Sequence, residues 1–176
     1  LMDGRIWVIA GDGCMMEGAT SEAASLAGHL KLDDLVVFYD DNNISIEGST
    51  GIAFTEDVAA RFAAYNWRVI RCDNANDICQ CDAALAEAVK SDGRPTIIIG
   101  KTQIGFGCPA KQGKASAHGE PLGVDNVAAM KENLGWPSTE PFFVPEEVYA
   151  NYKAISAEKA KDEEAWNKMF AEYCAK

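Results

Sequence analysis

Apolar residues along the chain fall into short unbroken runs, separated by stretches with helical spacing. The runs "RIWVIA" (5–10), "DLVVFYD" (34–40), "WRVIRC" (67–72) and "PTIIIGK" (95–101) show no polar alternation. Runs of this kind, bounded by turn residues, read as strands buried on both faces. Pro95 at the first position of the last run is compatible with a strand start. Three helical stretches lie between the runs. Residues 17–31 place Ala23, Leu26, Ala27 and Leu30 on one face. Residues 55–66 carry Thr55 as N-cap with acids in the first turn, and residues 77–93 end at Gly93. Non-alternating strands separated by helices predict an α/β fold: a doubly wound, mostly parallel sheet with helices on both faces and right-handed crossovers.

The pattern changes after Lys101. Residues 102–123 form a Gly-rich loop, and a loop of that length inside a compact domain is usually functional or disordered. A helix follows from Val124 and closes at Gly135. From Pro137 onward the chain reads as amphipathic helix, with Val148, Tyr152 and Ile155 along one stripe and Trp166, Phe170 and Tyr173 continuing an apolar face. The predicted organisation is a domain over residues 1–135 and a helical linker over 136–176. The chain opens almost inside a strand, which leads us to expect natural sequence before it.

Composition narrows the partners. Of 176 residues 48% are hydrophobic, enough for a real core, and the formal net charge is −11. That charge argues against an extended nucleic-acid surface or binding to anionic lipid, but not against one anionic ligand held by a metal and backbone amides. No apolar run approaches the ~20 residues needed to cross a bilayer, and the N-terminus has neither a basic n-region nor a cleavage pattern. Six cysteines show no CxxC repeat, and two histidines are too few for an ordinary structural zinc site. Reduced cysteines in an intracellular protein are the expectation, with cytosol or plastid left open.

The candidate chemistry lies at strand exits. In open parallel sheets, ligands bind beyond the carboxyl ends of the strands, at the point where strand order reverses. Asp12 in "GDGCMMEG" follows the first strand and Asn42 in "DDNN" follows the second, thirty residues on. If those strands are neighbours, or flank the reversal, both side chains reach one crevice. A carboxylate, an amide oxygen and a backbone carbonyl suit magnesium or calcium, with positions left for water and phosphate oxygens. Gly11 and Gly13 would let a diphosphate approach the backbone, and the helix beginning near Glu17 would turn its first amides toward that charge. Each motif alone is also an ordinary turn. "GDGCMMEG" fits neither the G-x-G-x-x-G spacing nor the P-loop, because position 16 is Met and no G-K-[ST] follows.

"GDGCMMEG" joined across thirty residues to "YDDNNISIEG" resembles the thiamine diphosphate signature. The longer text through "SLAGHL", with "FTEDVAARFAAYNW", "PTIIIGKTQIGFG", "SAHGEPLG", "VPEEVYANY" and "EEAWNKMFAEY", resembles the transketolase family over essentially the whole chain. "SLAGHL" and "SAHGEPLG" favour it over the 2-oxo acid dehydrogenase components. The resemblance implies that Asp12, Asn42 and the carbonyl of Ile44 bind the divalent cation bridging the cofactor's diphosphate. Gly11, Gly13 and Asn42 would line the diphosphate itself. Glu17 would be the buried glutamate linking two cofactor sites across a dimer interface, and Ile46 would lie near the thiazolium ring. His118 would reach both cofactor and sugar phosphate substrate. His29 reads as structural, and Lys101, Lys111 and Lys114 make the loop region locally basic. The family's other histidines precede this stretch, and its activating glutamate comes from a pyrimidine-binding domain of the partner subunit. The 176 residues alone are therefore expected to be inactive. Two other readings remain: a non-catalytic binding module on the same fold, and a related enzyme such as dihydroxyacetone synthase.

Overall fold

The computed structural model describes residues 4–175, in two compact units, Leu1–Gly135 and Trp136–Lys176. The first unit is built on four parallel strands, β1 (Ile6–Gly11), β2 (Leu35–Asp41), β5 (Arg68–Cys72) and β6 (Thr96–Lys101), in the order β1-β2-β6-β5. The sheet is α/β and doubly wound. Helices α2 (Gly18–Leu30) and α3 (Val58–Ala64) cover one face, and α4 (Ile78–Ala88) covers the other.

The core follows the two-residue alternation of the strands. Val37, Tyr39, Ile97 and Ile99 pack under Ala24, Ala27, Val58 and Phe62. Val36, Ile98 and Cys72 pack against Ala84 and Ala88 of α4. Central strand β6 is buried on both faces, with Ile97 and Ile98 at 0% exposure. Each such side chain contributes roughly 1.5–3 kcal/mol relative to an exposed position.

Four local expectations are corrected. The edge strand β1 is not buried: Ile6, Trp7, Val8 and Ile9 are all exposed, and only Ala10 reaches the core. Among the described residues it pairs with β2 alone, and the helix layers close over the strands beyond it. Helix α2 buries Ala24, Ala27 and Gly28 and leaves Leu26 and Leu30 exposed, because it approaches the rest of the fold through its smallest residues. Helix α3 is capped by Asp57, whose carboxylate accepts from Ala60 N at 3.0 Å, rather than by Thr55. A separate five-residue helix, α1 (Asp12–Met16), stands between β1 and α2.

A short antiparallel pair, β3 (Ile44–Ser45) and β4 (Gly48–Ser49), follows β2. The 102–123 region is irregular apart from one 3-10 turn at Ala115–Ala117. Helix α5 (Val124–Asn133) then ends into Gly135, whose φ of +64° is the left-handed conformation glycine adopts readily. The second unit contains α6 (Glu146–Cys174), a 29-residue helix in which no described residue is buried. Trp166 and Phe170 stack on its surface with ring centroids 4.8 Å apart. No helix among the described residues is long and apolar enough to cross a membrane.

Candidate functional site

Strands β1 and β2 run side by side and end together, with Gly11 opposite Asp40. Asp12 is the next residue of the first strand's chain and Asn42 the residue after the second strand. Parallel pairing thus converts a sequence separation of thirty into direct contact: Asn42 N donates to Asp12 Oδ2 at 3.3 Å. Asn42 Oδ1 in turn accepts from Ile44 N at 2.9 Å. The Tyr39 hydroxyl donates to Asp12 Oδ1 at 2.6 Å.

Asp12 is 3% exposed, unusual for a carboxylate that has no ion-pair partner among the described residues. Burial pushes its carboxyl above the ordinary carboxylate value; the Tyr39 hydroxyl opposes that shift, Asp41 adds to it, and the backbone amides of Asn42 and Asn43 oppose it. Burial, and then the bond to Asp12, push the Tyr39 phenol up as well. A carboxylate desolvated to this degree is suited to a hard cation, which would restore the charge compensation that water no longer gives.

The donor set fits an ion shared with a ligand. Among the described residues no three His, Cys, Asp or Glu side chains assemble a metal cage. One carboxylate with an amide oxygen and a backbone carbonyl leaves positions for phosphate oxygens or water, as magnesium sites commonly do. Gly11 and Gly13 flank Asp12, and a Cβ added at either meets nothing within 4 Å. Neither protein packing nor positive φ demands glycine there. Open space beside a buried carboxylate accommodates a ligand.

Two clefts adjoin the cluster. One, of about 300 Å³, is lined by Asp12, Tyr39, Asp41, Asp57, Arg71 and Lys101. The other, of about 520 Å³, is lined by Asn42, Asn43, Ile44, Asn74, Asn76 and Gln103. The fold brings Asp12, Asn42 and Ile44 together and sets Gly11 and Gly13 beside them. Glu17, Ile46 and His118 do not belong to that hydrogen-bonded group. Glu17 is an exposed, extended residue between α1 and α2, Ile46 is 72% exposed between β3 and β4, and His118 is exposed at the end of the 3-10 turn.

The basic residues are largely engaged by the protein itself. Lys101 Nζ lies 2.5 Å from Asp41 Oδ2, Lys111 Nζ donates to Ser116 O at 3.1 Å, and Lys114 Nζ donates to Ala110 O at 2.8 Å. The expectation of a loop basic toward an anion is therefore weakened. Nor does the Asp12–Asn42 crevice lie at a reversal of winding, because α2 and α3, which follow β1 and β2, share one face. It is the neighbouring-strand alternative that holds.

Two supporting residues escape sequence reasoning. Tyr39 reads as one more apolar strand position, although a phenol on an inward face requires an acceptor. Arg61, within an Ala-rich helix, reaches across to donate from Nη2 to Met15 O at 2.9 Å and from Nη1 to Ser21 Oγ at 2.8 Å. It grips the junction of α1 and α2 on which Glu17 sits.

The family model described as "Transketolase, thiamine diphosphate binding domain" matches residues 1–176. A transketolase of Halalkalibacterium halodurans is 46% identical over 173 residues, 98% of this chain and 26% of that protein. The chloroplastic transketolase of Solanum tuberosum is 49% identical over 174 residues, 98% of this chain and 23% of its own length. A crystal structure of Pichia stipitis transketolase in complex with sedoheptulose-7-phosphate superposes with a TM-score of 0.88 at 47% identity, covering 97% of this chain and 25% of that one. The chain thus spans about a quarter of the length of the relatives it matches. With its whole length matched and its paired strand ends carrying the Asp12–Asn42 cluster, the chain belongs to the transketolase family, within that family's thiamine diphosphate binding domain.

Proposed function

We propose that the complete protein is a transketolase, moving a two-carbon ketol unit from a ketose phosphate to an aldose phosphate, and that this chain anchors the cofactor's diphosphate. The observation that carries the reading is the contact of Asp12 with Asn42 across the ends of two paired strands. Asp12, Asn42 and the Ile44 carbonyl would hold a divalent cation, magnesium in the first instance, with calcium or another divalent ion as substitutes. Gly11, Gly13 and Asn42 would accept the diphosphate in the open space beside Asp12. Ile46 would present an apolar side chain toward the thiazolium ring, and His118 would reach cofactor and sugar phosphate from the 102–123 loop. Glu17 would become buried on association, linking two sites of a homodimer or of an assembly with a partner subunit.

When bound, thiamine diphosphate supplies the carbanion-stabilising chemistry for ketol transfer. The contribution of this chain is to bind and orient. The cluster fixes the diphosphate end, while the proton transfer that activates the cofactor requires groups from a pyrimidine-binding domain. Residues 1–135 would form the diphosphate-binding lobe and 136–176 the helical linker toward that domain. Exposed Glu17 and the uncovered apolar strand β1 support a larger assembly. The chloroplastic relatives support a plastid setting beside a cytoplasmic one, with sugar phosphate interconversion of the pentose phosphate or Calvin cycle type.

Calorimetry on the full-length protein tests the reading. Thiamine diphosphate with magnesium should bind, and Asp12→Ala should abolish that binding. Unchanged binding by Asp12→Ala would refute the site, and ketol transfer by the isolated 176 residues would refute the division of labour. A full-length protein that binds the cofactor yet transfers no ketol unit would point instead to a binding module.

A further inference from the structure

We propose that Tyr39 is a positioning residue for the cation site: its hydroxyl fixes the orientation of the Asp12 carboxylate without itself touching the ion. The proposal rests on the reading above that Asp12 holds a divalent cation.

Three observations carry it. First, Tyr39 is itself held. It is 2% exposed in β2, paired opposite Ala10 of β1 and Ile99 of β6, so its ring is confined between neighbours on both sides. Second, among the described residues its hydroxyl makes one hydrogen bond, to Asp12 Oδ1 at 2.6 Å. The other carboxylate oxygen receives a longer bond, 3.3 Å from Asn42 N. The short bond from a rigid ring is thus the stronger determinant of how the carboxylate lies. Third, Asp12 opens a helix of only five residues with no side-chain cap, too short to hold a direction by itself.

A carboxylate freed of the phenol would turn within its buried setting toward the adjacent backbone amides. Partners that orient metal-ligating groups are commonly worth ten- to a hundredfold in metal affinity. Magnesium demands near-ideal octahedral geometry whereas calcium tolerates irregular coordination. A role in orientation therefore predicts a loss that discriminates between the two ions.

The test is a pair of titrations on the full-length protein, with Mg²⁺ and then Ca²⁺ at saturating thiamine diphosphate, followed by tryptophan fluorescence. Tyr39→Phe keeps the ring and its packing and deletes only the hydroxyl; its folding is checked by the cation-free Tm. The expected result is a ten- to hundredfold rise in the Mg²⁺ midpoint and a smaller rise for Ca²⁺. Ile99→Val, a packing control beside the same ring, should lower Tm and leave both midpoints unchanged. A Mg²⁺ midpoint within twofold of the unmodified protein, with Asp12→Ala severely impaired, overturns the positioning role alone. Equal losses for both ions also overturn it, since a packing defect would act on both alike. An Asp12→Ala protein that titrates normally overturns the cation reading and this proposal with it.

Discussion

Gly28 sets how closely α2 approaches the rest of the first unit. A Cβ built there would lie 1.8 Å from Tyr65 O and 3.3 Å from Trp67 Cδ1. The backbone carbonyl cannot move aside as a flexible side-chain end could. The same contact region is tied by Trp67 Nε1, which donates to Ala24 O at 2.7 Å. Gly28→Ala should therefore destabilise the fold by about 1–3 kcal/mol, the usual cost of overpacking a tight contact. Urea unfolding would measure it, and a midpoint equal to the unmodified protein would contradict the packing argument. At this scale the sequence pointed to the meeting of Asp12 and Asn42, because turn residues at strand exits are a local signal. It hid Tyr39 and Gly28, whose roles depend on partners 27 and 37 residues away.

At the scale of elements, the join of α4 to β5 carries a predictable pH dependence. Arg68 of β5 donates to Glu87 O of α4 at 3.2 Å and pairs with the Glu87 carboxylate, which also accepts from Lys90 Nζ at 2.7 Å. The Lys90 hydrogen bond first, and against an opposing desolvation the charges of Lys90 and Arg68, hold the Glu87 carboxyl below its ordinary value of 4.5. A group whose folded pKa is depressed contributes stability above its unfolded pKa and loses it as pH falls through the folded one. Glu87→Gln should thus lower Tm at neutral pH, and the difference from the unmodified protein should close as pH falls from 4.5 through the lowered value. Thermal melts across that range would show it, and a gap constant with pH would contradict the pairing. The order of strands and helices was legible in the sequence because apolar runs and helical spacing are local. The short helix α1 ahead of α2 was not. Glu17, extended at φ −72° and ψ 134°, separates the two helices, and Arg61 from α3 grips the carbonyl of Met15, two residues before it.

Across the 176 residues taken together, strand β1 poses the main question of solubility. Ile6, Trp7, Val8 and Ile9 are 62%, 45%, 40% and 82% exposed on the edge strand of a parallel sheet. Long apolar edges invite pairing with other chains. The isolated 176 residues should self-associate, and Ile9→Lys should suppress this while changing stability by no more than about 0.5 kcal/mol, as at other exposed positions. Light scattering alongside thermal melts tests both parts; a monodisperse unmodified chain would contradict the first. The sequence by itself determined the α/β class, the sites where strands end, and the Asp12–Asn42 spacing, because each rests on the chemistry of neighbouring residues. Only the tertiary structure decided which strand forms the edge, which face of α2 is buried, and that a phenol from β2 meets the Asp12 carboxylate. Those facts follow from the pairing register of segments far apart in the chain, and no local pattern encodes register by itself.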